Sequence, residues 1–232
     1  MLSKYYKNSY FLIGFYLANH KLLHNLTHQL PIKRAAPPIK WINTHTKMCI
    51  DGFLRSGGTY FAYYFRYFNP DDHLAHHTHS LQQINKAHAN ELPLIITIRH
   101  PLDSLSSLIC YDSRLSIPVA LHTYIYFYEG LLKLPPTIYF DLVDHKDTPW
   151  ALIQKVNDHY GTSFAAPILS DKELADFLAT IPIEIPSPSI LSSPIPNEDK
   201  RRKKEIIKKE LLTYERYNKA VEVYETLRNR SI

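Results

Sequence analysis

The run Leu92-Pro93-Leu94-Ile95-Ile96-Thr97-Ile98-Arg99 constrains the fold more than any other stretch, because it is apolar and β-branched almost throughout and shows no alternation. A strand of that kind offers no face to water, so it belongs inside a parallel sheet covered on both sides. A helix at 59–68, so rich in Phe and Tyr that most of its faces must be covered, precedes it, and helices expected from near Asp103 and over 116–133 follow it. Further strand candidates at 47–51 and 137–143 complete an alternation of strands and helices. That alternation predicts βαβ crossovers and an α/β fold in three layers, a central parallel sheet flanked by helices.

A length of 232 residues suits one such domain. Residues 1–31 read as an N-terminal helix with Phe11, Phe15, Ala18, Leu22 and Leu26 on one stripe, stopped by Pro31, with a linker at 33–38. Residues 41–165 form the expected core. Within it Thr148 and Pro149 open a helix as N-cap and first-turn residue, and Gly161 closes it. Ser170 and Glu173 have capping-box spacing. The Pro/Ser-rich stretch 182–197 reads as a loop, and 198–230 as one final helix carrying Ile207, Leu211, Tyr214, Val221 and Tyr224 on its apolar stripe. The most hydrophobic N-terminal run, residues 11–18, is far shorter than the roughly 20 residues that cross a bilayer, and no small-x-small cleavage site follows it. With two cysteines, Cys49 and Cys110, both in apolar stretches, a cytoplasmic setting is expected.

The net charge of +5 favours anionic partners. Two motifs place that charge. Gly52-Phe53-Leu54-Arg55-Ser56-Gly57-Gly58-Thr59 has the G-x-x-x-x-G-x-T spacing of a phosphate loop, after a strand and before a helix. Its glycines turn backbone N–H groups toward an anion, and the following helix adds its positive end. The lysine of a nucleotide triphosphatase is replaced by Gly58, and Arg55 supplies a cation three residues earlier. The second motif, Arg99-His100-Pro101-Leu102-Asp103-Ser104-Leu105-Ser106-Ser107, puts an arginine at the carboxyl end of the central strand, where open α/β sheets bind ligands. Asp103 can cap the helix that follows, and Ser107 lies four residues on along the same face, so Arg99 and Ser107 can hold one anion.

These motifs resemble those of the sulfotransferases, G-x-x-[RK]-S-G-x-T for the 5′-phosphosulfate end of 3′-phosphoadenosine 5′-phosphosulfate and R-x-P-x-D-x-x-x-S for its 3′-phosphate. The resemblance implies a P-loop-type fold in which Arg55, Ser56, Gly57, Gly58 and Thr59 hold the 5′-phosphate, with Arg55 stabilising the leaving phosphate. It implies that Tyr60 lies near adenine and that Arg99 and Ser107 bind the 3′-phosphate. Tyr139-Phe140-Asp141-Leu142 looks like the family's strand-end Tyr-Glu-Asp-Leu segment, with Phe140 in place of glutamate and Tyr139 as a donor contact. A late basic segment often reaches the 3′-phosphate in the family. Within the run 200–204, Arg201 and Arg202 are the candidates.

Sulfuryl transfer to a hydroxyl or amine needs a base, and histidine suits that role. Of thirteen histidines, His73, His76, His77 and His79 cluster between the two motifs. His77-Thr78-His79 resembles the Lys-Thr-His triplet of the cytosolic branch, which makes His79 the first candidate base and His77 the second. The cluster has the spacing to offer imidazoles to zinc, but no cysteine or carboxylate shell accompanies it, and the reaction requires no metal. The expected acceptor is a small molecule or glycan, and no nucleic acid is expected. Two rivals remain at this stage: a nucleotide kinase with a degenerate phosphate loop, and a non-catalytic nucleotide- or RNA-binding module.

Overall fold

Among the described residues four short strands carry the architecture: β1 (Thr46–Gly52), β2 (His73–His76), β3 (Leu94–Ile98) and β4 (Ile138–Asp141). In the computed structural model, which describes residues 2–20, 40–113, 115–141, 148–180 and 198–230, they form one sheet in the order β2-β1-β3-β4, and every pairing is parallel. The helices among the described residues are α1 (Leu2–Asn19), α2 (Gly58–Phe68), α3 (Leu81–Ala89), α4 (Pro101–Tyr111), α5 (Ile117–Leu132), α6 (Pro149–Tyr160), α7 (Asp171–Thr180), α8 (Glu198–Leu211) and α9 (Arg216–Arg228).

The period-2 geometry of strands divides the apolar residues between two cores. Met48, Ile50, Leu74, Ile95, Ile138 and Phe140 face a cluster built with α2, α6 and α7. Cys49, Ala75, Leu94, Ile96, Ile98 and Tyr139 face the other, built with α1, α3, α4, α5, α8 and α9. All five residues of β3 are buried, as its unbroken apolar sequence demands. The result is the three-layer α/β fold expected from the sequence.

Local signals set most boundaries. Thr148 accepts from the Ala151 N–H at 3.4 Å, Pro149 takes the first turn of α6, and Gly161 closes the helix at φ 66°. The Ser170 N–H donates to Glu173 Oε2 at 2.8 Å and the Glu173 N–H to Ser170 Oγ at 3.4 Å, completing the capping box of α7.

Two expectations change. Helix α4 begins at Pro101, not Asp103, with His100 as its cap; Pro101 suits the first turn, and Asp103 Oδ1 meets Lys208 Nζ at 3.0 Å instead of capping. The final segment is two helices. Leu212 to Glu215 breaks the helix without glycine or proline, because α8 packs on α4 whereas α9 packs on α5. Helix α1 is described to Asn19, and the continuation expected to Leu30, the linker 33–38 and the loop 182–197 lie outside the described residues. No helix among the described residues is long and apolar enough to cross a membrane.

Candidate functional site

The chain leaves β1 for β2 on one side and later returns to β3 on the other, so the carboxyl ends of β1 and β3 flank the point where strand order reverses. Open α/β sheets bind ligands in the crevice at such a point. The two sequence motifs occupy it. Gly52 is paired with Thr97 at the strand ends, the loop 53–57 follows β1, and Arg99 follows β3.

Gly52 is required by close packing. A Cβ there would lie 2.2 Å from the Thr97 carbonyl oxygen, 2.4 Å from Thr97 Oγ1 and 2.9 Å from Ser56 Oγ. One at Gly58 would meet only Thr97 Oγ1, at 3.5 Å. Gly52→Ala is therefore expected to destabilise the fold by about 3 kcal/mol in chemical denaturation, whereas Gly58→Ala, at the start of a helix, should be neutral or stabilising by about 0.5 kcal/mol.

Beyond Gly52 the loop turns on two left-handed residues, Arg55 at φ 66° and Gly57 at φ 100°. Ser56 is tied inward, donating to the Phe53 carbonyl at 2.6 Å and bonded to Thr97 Oγ1 at 2.8 Å. Gly57 caps α2 without any side-chain hydrogen bond, so the first N–H groups of α2 have no cap to satisfy them and carry the positive end of the helix dipole.

Four cations converge beside this helix end. Arg55 Nε donates to Ser107 Oγ at 3.2 Å, its guanidinium lies 5.2 Å from the Tyr111 ring centroid, and its carbonyl accepts from Arg99 Nη1 at 3.2 Å. Tyr128 and Tyr124 fix the Arg99 backbone: the Arg99 N–H donates to Tyr128 Oη at 3.0 Å, and the Tyr124 hydroxyl donates to the Arg99 carbonyl at 2.8 Å. Arg99 Nε is buried and has no hydrogen-bond partner. From α8 come Lys200, which is 5% exposed, and Lys204. Burial lowers the pKa of all four groups; Arg99 also depresses Arg55 and Lys204, and Arg55 depresses Lys200 and Lys204. Lys204 falls to about 8. No carboxylate offsets this for Arg55 or Lys204 among the described residues. Such a cluster stores repulsion that a bound anion relieves.

Lys204 makes this testable by pH. Its folded pKa lies below its unfolded value, so the unfolded state binds more protons between about 8 and 10.5, and through this group the unliganded protein gains stability as pH rises across that window. Anion binding has the opposite sense. Affinity is expected to hold below pH about 8 and then to fall by up to about tenfold per pH unit as Lys204 loses its proton, a trend that Lys204→Gln should abolish in calorimetry.

The histidine segment flanks the loop on its β2 side. Asp51, at the end of β1, is buried and accepts from the N–H groups of Gly52 (2.8 Å), Thr78 (3.2 Å) and His79 (2.9 Å) and from the Thr78 hydroxyl. The turn that these bonds anchor has His77 and His79 in left-handed conformations, at φ 59° and 48°. Burial raises the Asp51 carboxyl above its ordinary value, against the pull of His79 and the donors. His79 Nδ1 lies 2.8 Å from the Gly52 carbonyl oxygen, and only an N–H donates to a carbonyl. The neutral ring therefore carries its proton on Nδ1 and a lone pair on Nε2. Asn19, 2% exposed, secures the same turn from α1 by donating to the His79 carbonyl at 3.3 Å and accepting from the Leu81 N–H at 2.8 Å. His77 is different. Its Nε2 is 2.8 Å from Thr59 Oγ1, and burial, then His79 and His76, push its pKa down to about 2, so it remains neutral in the folded state.

The structure thus gathers Arg55, Ser56, Gly57, Gly58, Thr59, Arg99, Ser107, His77 and His79 around one crevice, with Ser107 bonded to Arg55 rather than Arg99. Other candidates stand apart. Tyr139 is 4% exposed and its ring lies in the apolar core, because its position in β4 faces inward. Arg201 points to solvent and meets Glu198 at 2.8 Å, and Arg202 is exposed. Tyr60 packs toward Phe177, with ring centroids 6.3 Å apart. Asp51, Asn19, Lys200 and Lys204 are the members not singled out by motif. Among the described residues no three His, Cys, Asp or Glu side chains converge as metal ligands. No protein-family model, curated protein or solved structure matches this chain.

Proposed function

We propose that the protein is a sulfotransferase that moves a sulfuryl group from 3′-phosphoadenosine 5′-phosphosulfate to a hydroxyl or amine of a small molecule or glycan. The observation that carries this reading is the convergence of Arg55, Arg99, Lys200 and Lys204 on the uncapped N-terminus of α2, with His79 anchored to the same loop. A donor with phosphate groups at both the 3′ and 5′ positions suits so extended a cationic crevice better than a single phosphate does. In this reading the helix end and Arg55 receive the 5′-phosphate, and Arg99 with the α8 lysines receives the 3′-phosphate.

The chemistry assigned to these groups is an in-line displacement. The acceptor oxygen attacks sulfur, the bond between sulfur and the bridging oxygen of the 5′-phosphate breaks, and its electron pair stays on that phosphate. Arg55 and the loop N–H groups offset the charge that develops there. The acceptor's proton passes to His79 Nε2, and the Nδ1–H bond to Gly52 and the nearby Asp51 carboxylate steady the resulting imidazolium. His77 is too weak a base for this step at neutral pH and instead orients Thr59.

A kinase needs a carboxylate to hold magnesium near the phosphates. Asp51, the carboxylate beside the loop, has its oxygens occupied by four protein donors, and an arginine stands at the end of β3. The donor set therefore favours sulfuryl over phosphoryl transfer. Radiolabelled donor incubated with a panel of phenolic, alkyl and carbohydrate hydroxyls and amines is expected to label at least one of them as 3′,5′-bisphosphate is released. Donor that binds while no label moves would point to the binding module instead.

A further inference from the structure

A second pocket, of about 220 Å³, opens at the outer edge of the sheet, lined by Lys40, Arg66, Asp71, Asp72, His73 and His76. Lys40 is held there by backbone pairing with the edge strand, its N–H donating to the His76 carbonyl at 3.1 Å and its carbonyl accepting from the His76 N–H at 3.0 Å. Arg66 projects from the last turn of α2.

Two residues that line this pocket each carry a buried imidazole nitrogen with no hydrogen-bond partner, His73 Nδ1 and His76 Nε2. For His73 the proton content follows from the other side of the ring. Asn43 Oδ1 accepts from the His45 N–H at 2.8 Å, which turns Asn43 Nδ2 toward His73 Nε2 at 3.4 Å. An amide nitrogen only donates, so His73 Nε2 is the acceptor and the neutral ring carries its proton on Nδ1. That buried N–H is an unsatisfied donor. His76 is 2% exposed, and its Nδ1 is hydrogen-bonded to His77 Nδ1. Burial, then the charges of Arg66 and Lys40, hold its pKa down to about 4, which reports a positive potential at the ring. Leaving such groups unpaired costs about 1–3 kcal/mol each, which an acceptor in the pocket would recover.

We propose that this pocket binds a small, singly charged oxyanion group, a carboxylate or a monovalent phosphate, received by His73 Nδ1–H, His76 Nε2–H, Lys40 and Arg66. Asp71 and Asp72 line the same pocket and set the limit of one charge, since a polyphosphate would be repelled. Occupancy also reaches the phosphate loop. An acceptor on His76 fixes its proton at Nε2, so His76 Nδ1 accepts from His77 Nδ1–H, and His77 Nε2 then accepts from the Thr59 hydroxyl. The first turn of α2 thereby senses the pocket through two imidazoles.

The test is a titration of the full chain with acetate and, separately, inorganic phosphate, followed by nitrogen NMR of the imidazoles. His73 Nδ1 reads the pocket without contact with the loop. A saturable shift of His73 and His76 with a Kd of about 1–10 mM is expected for at least one anion, and which anion succeeds identifies a carboxylate or a phosphate as the natural group. Lys40→Gln with Arg66→Gln, at two exposed positions, should raise that Kd at least tenfold with the imidazole spectrum otherwise intact. Absence of a saturable shift with both anions, or a shift of unchanged affinity in the double variant, overturns the proposal.

Discussion

His79→Ala is expected to lower turnover about 10³-fold while the Kd for adenosine 3′,5′-bisphosphate changes less than about twofold, because a positioned general base contributes on the order of 10²–10⁴ to rate and nothing to donor affinity. On the proposed mechanism this loss falls on His79 and not on its neighbour. His79 presents Nε2 as a lone pair because Nδ1 donates to Gly52, whereas the pKa of His77 is about 2 and its Nε2 is engaged by Thr59. His77→Ala should therefore cost less than about tenfold. Alanine at φ 48° adds backbone strain, so His79→Asn, which tolerates that region, is the cleaner variant and should show the same kinetic loss. Full activity in both His79 variants would move the base elsewhere.

Arg99→Ala should raise the Kd for the bisphosphate about 10- to 100-fold, the range for losing a charged hydrogen-bonding partner, while 5′-AMP binding changes only about threefold. The contrast separates a 3′-phosphate contact from general attraction. Arg99 is suited to that contact: its backbone is clamped by Tyr124 and Tyr128, one arm holds the Arg55 carbonyl, and Nε is left buried without a partner. Equal losses for both nucleotides would mean that Arg99 contributes only long-range charge.

Much of this architecture was legible because the signals were local. The unbroken apolar run of β3, the Thr148-Pro149 start and Gly161 end of α6, and the Ser170/Glu173 box each state a boundary in adjacent residues. The break between α8 and α9 was not legible, since it arises from a change of packing partner and carries no glycine or proline. The two loop motifs were visible as spacing, but the strand order that makes their meeting place a crevice is a tertiary fact. The α8 cations carry a helical signal of their own. The buried residues of α8 are Lys200, Ile207 and Leu211. Extending the Ile207/Leu211 stripe back at i−3 and i−7 selects Lys204 and Lys200 and passes over Arg201 and Arg202, so helical period outweighs the greater appeal of arginine for phosphate. Asp51 shows in the sequence only as a strand end, because its four donors come from backbone and threonine groups that no motif displays.

Calorimetric titration of the protein with adenosine 3′,5′-bisphosphate and with magnesium ATP tests the central claim most directly. The bisphosphate is expected to bind at least tenfold more tightly, because Arg99, Lys200 and Lys204 add cations to Arg55 of the loop 52–59. Equal affinity for the two nucleotides, or no binding of the bisphosphate, would contradict the donor assignment.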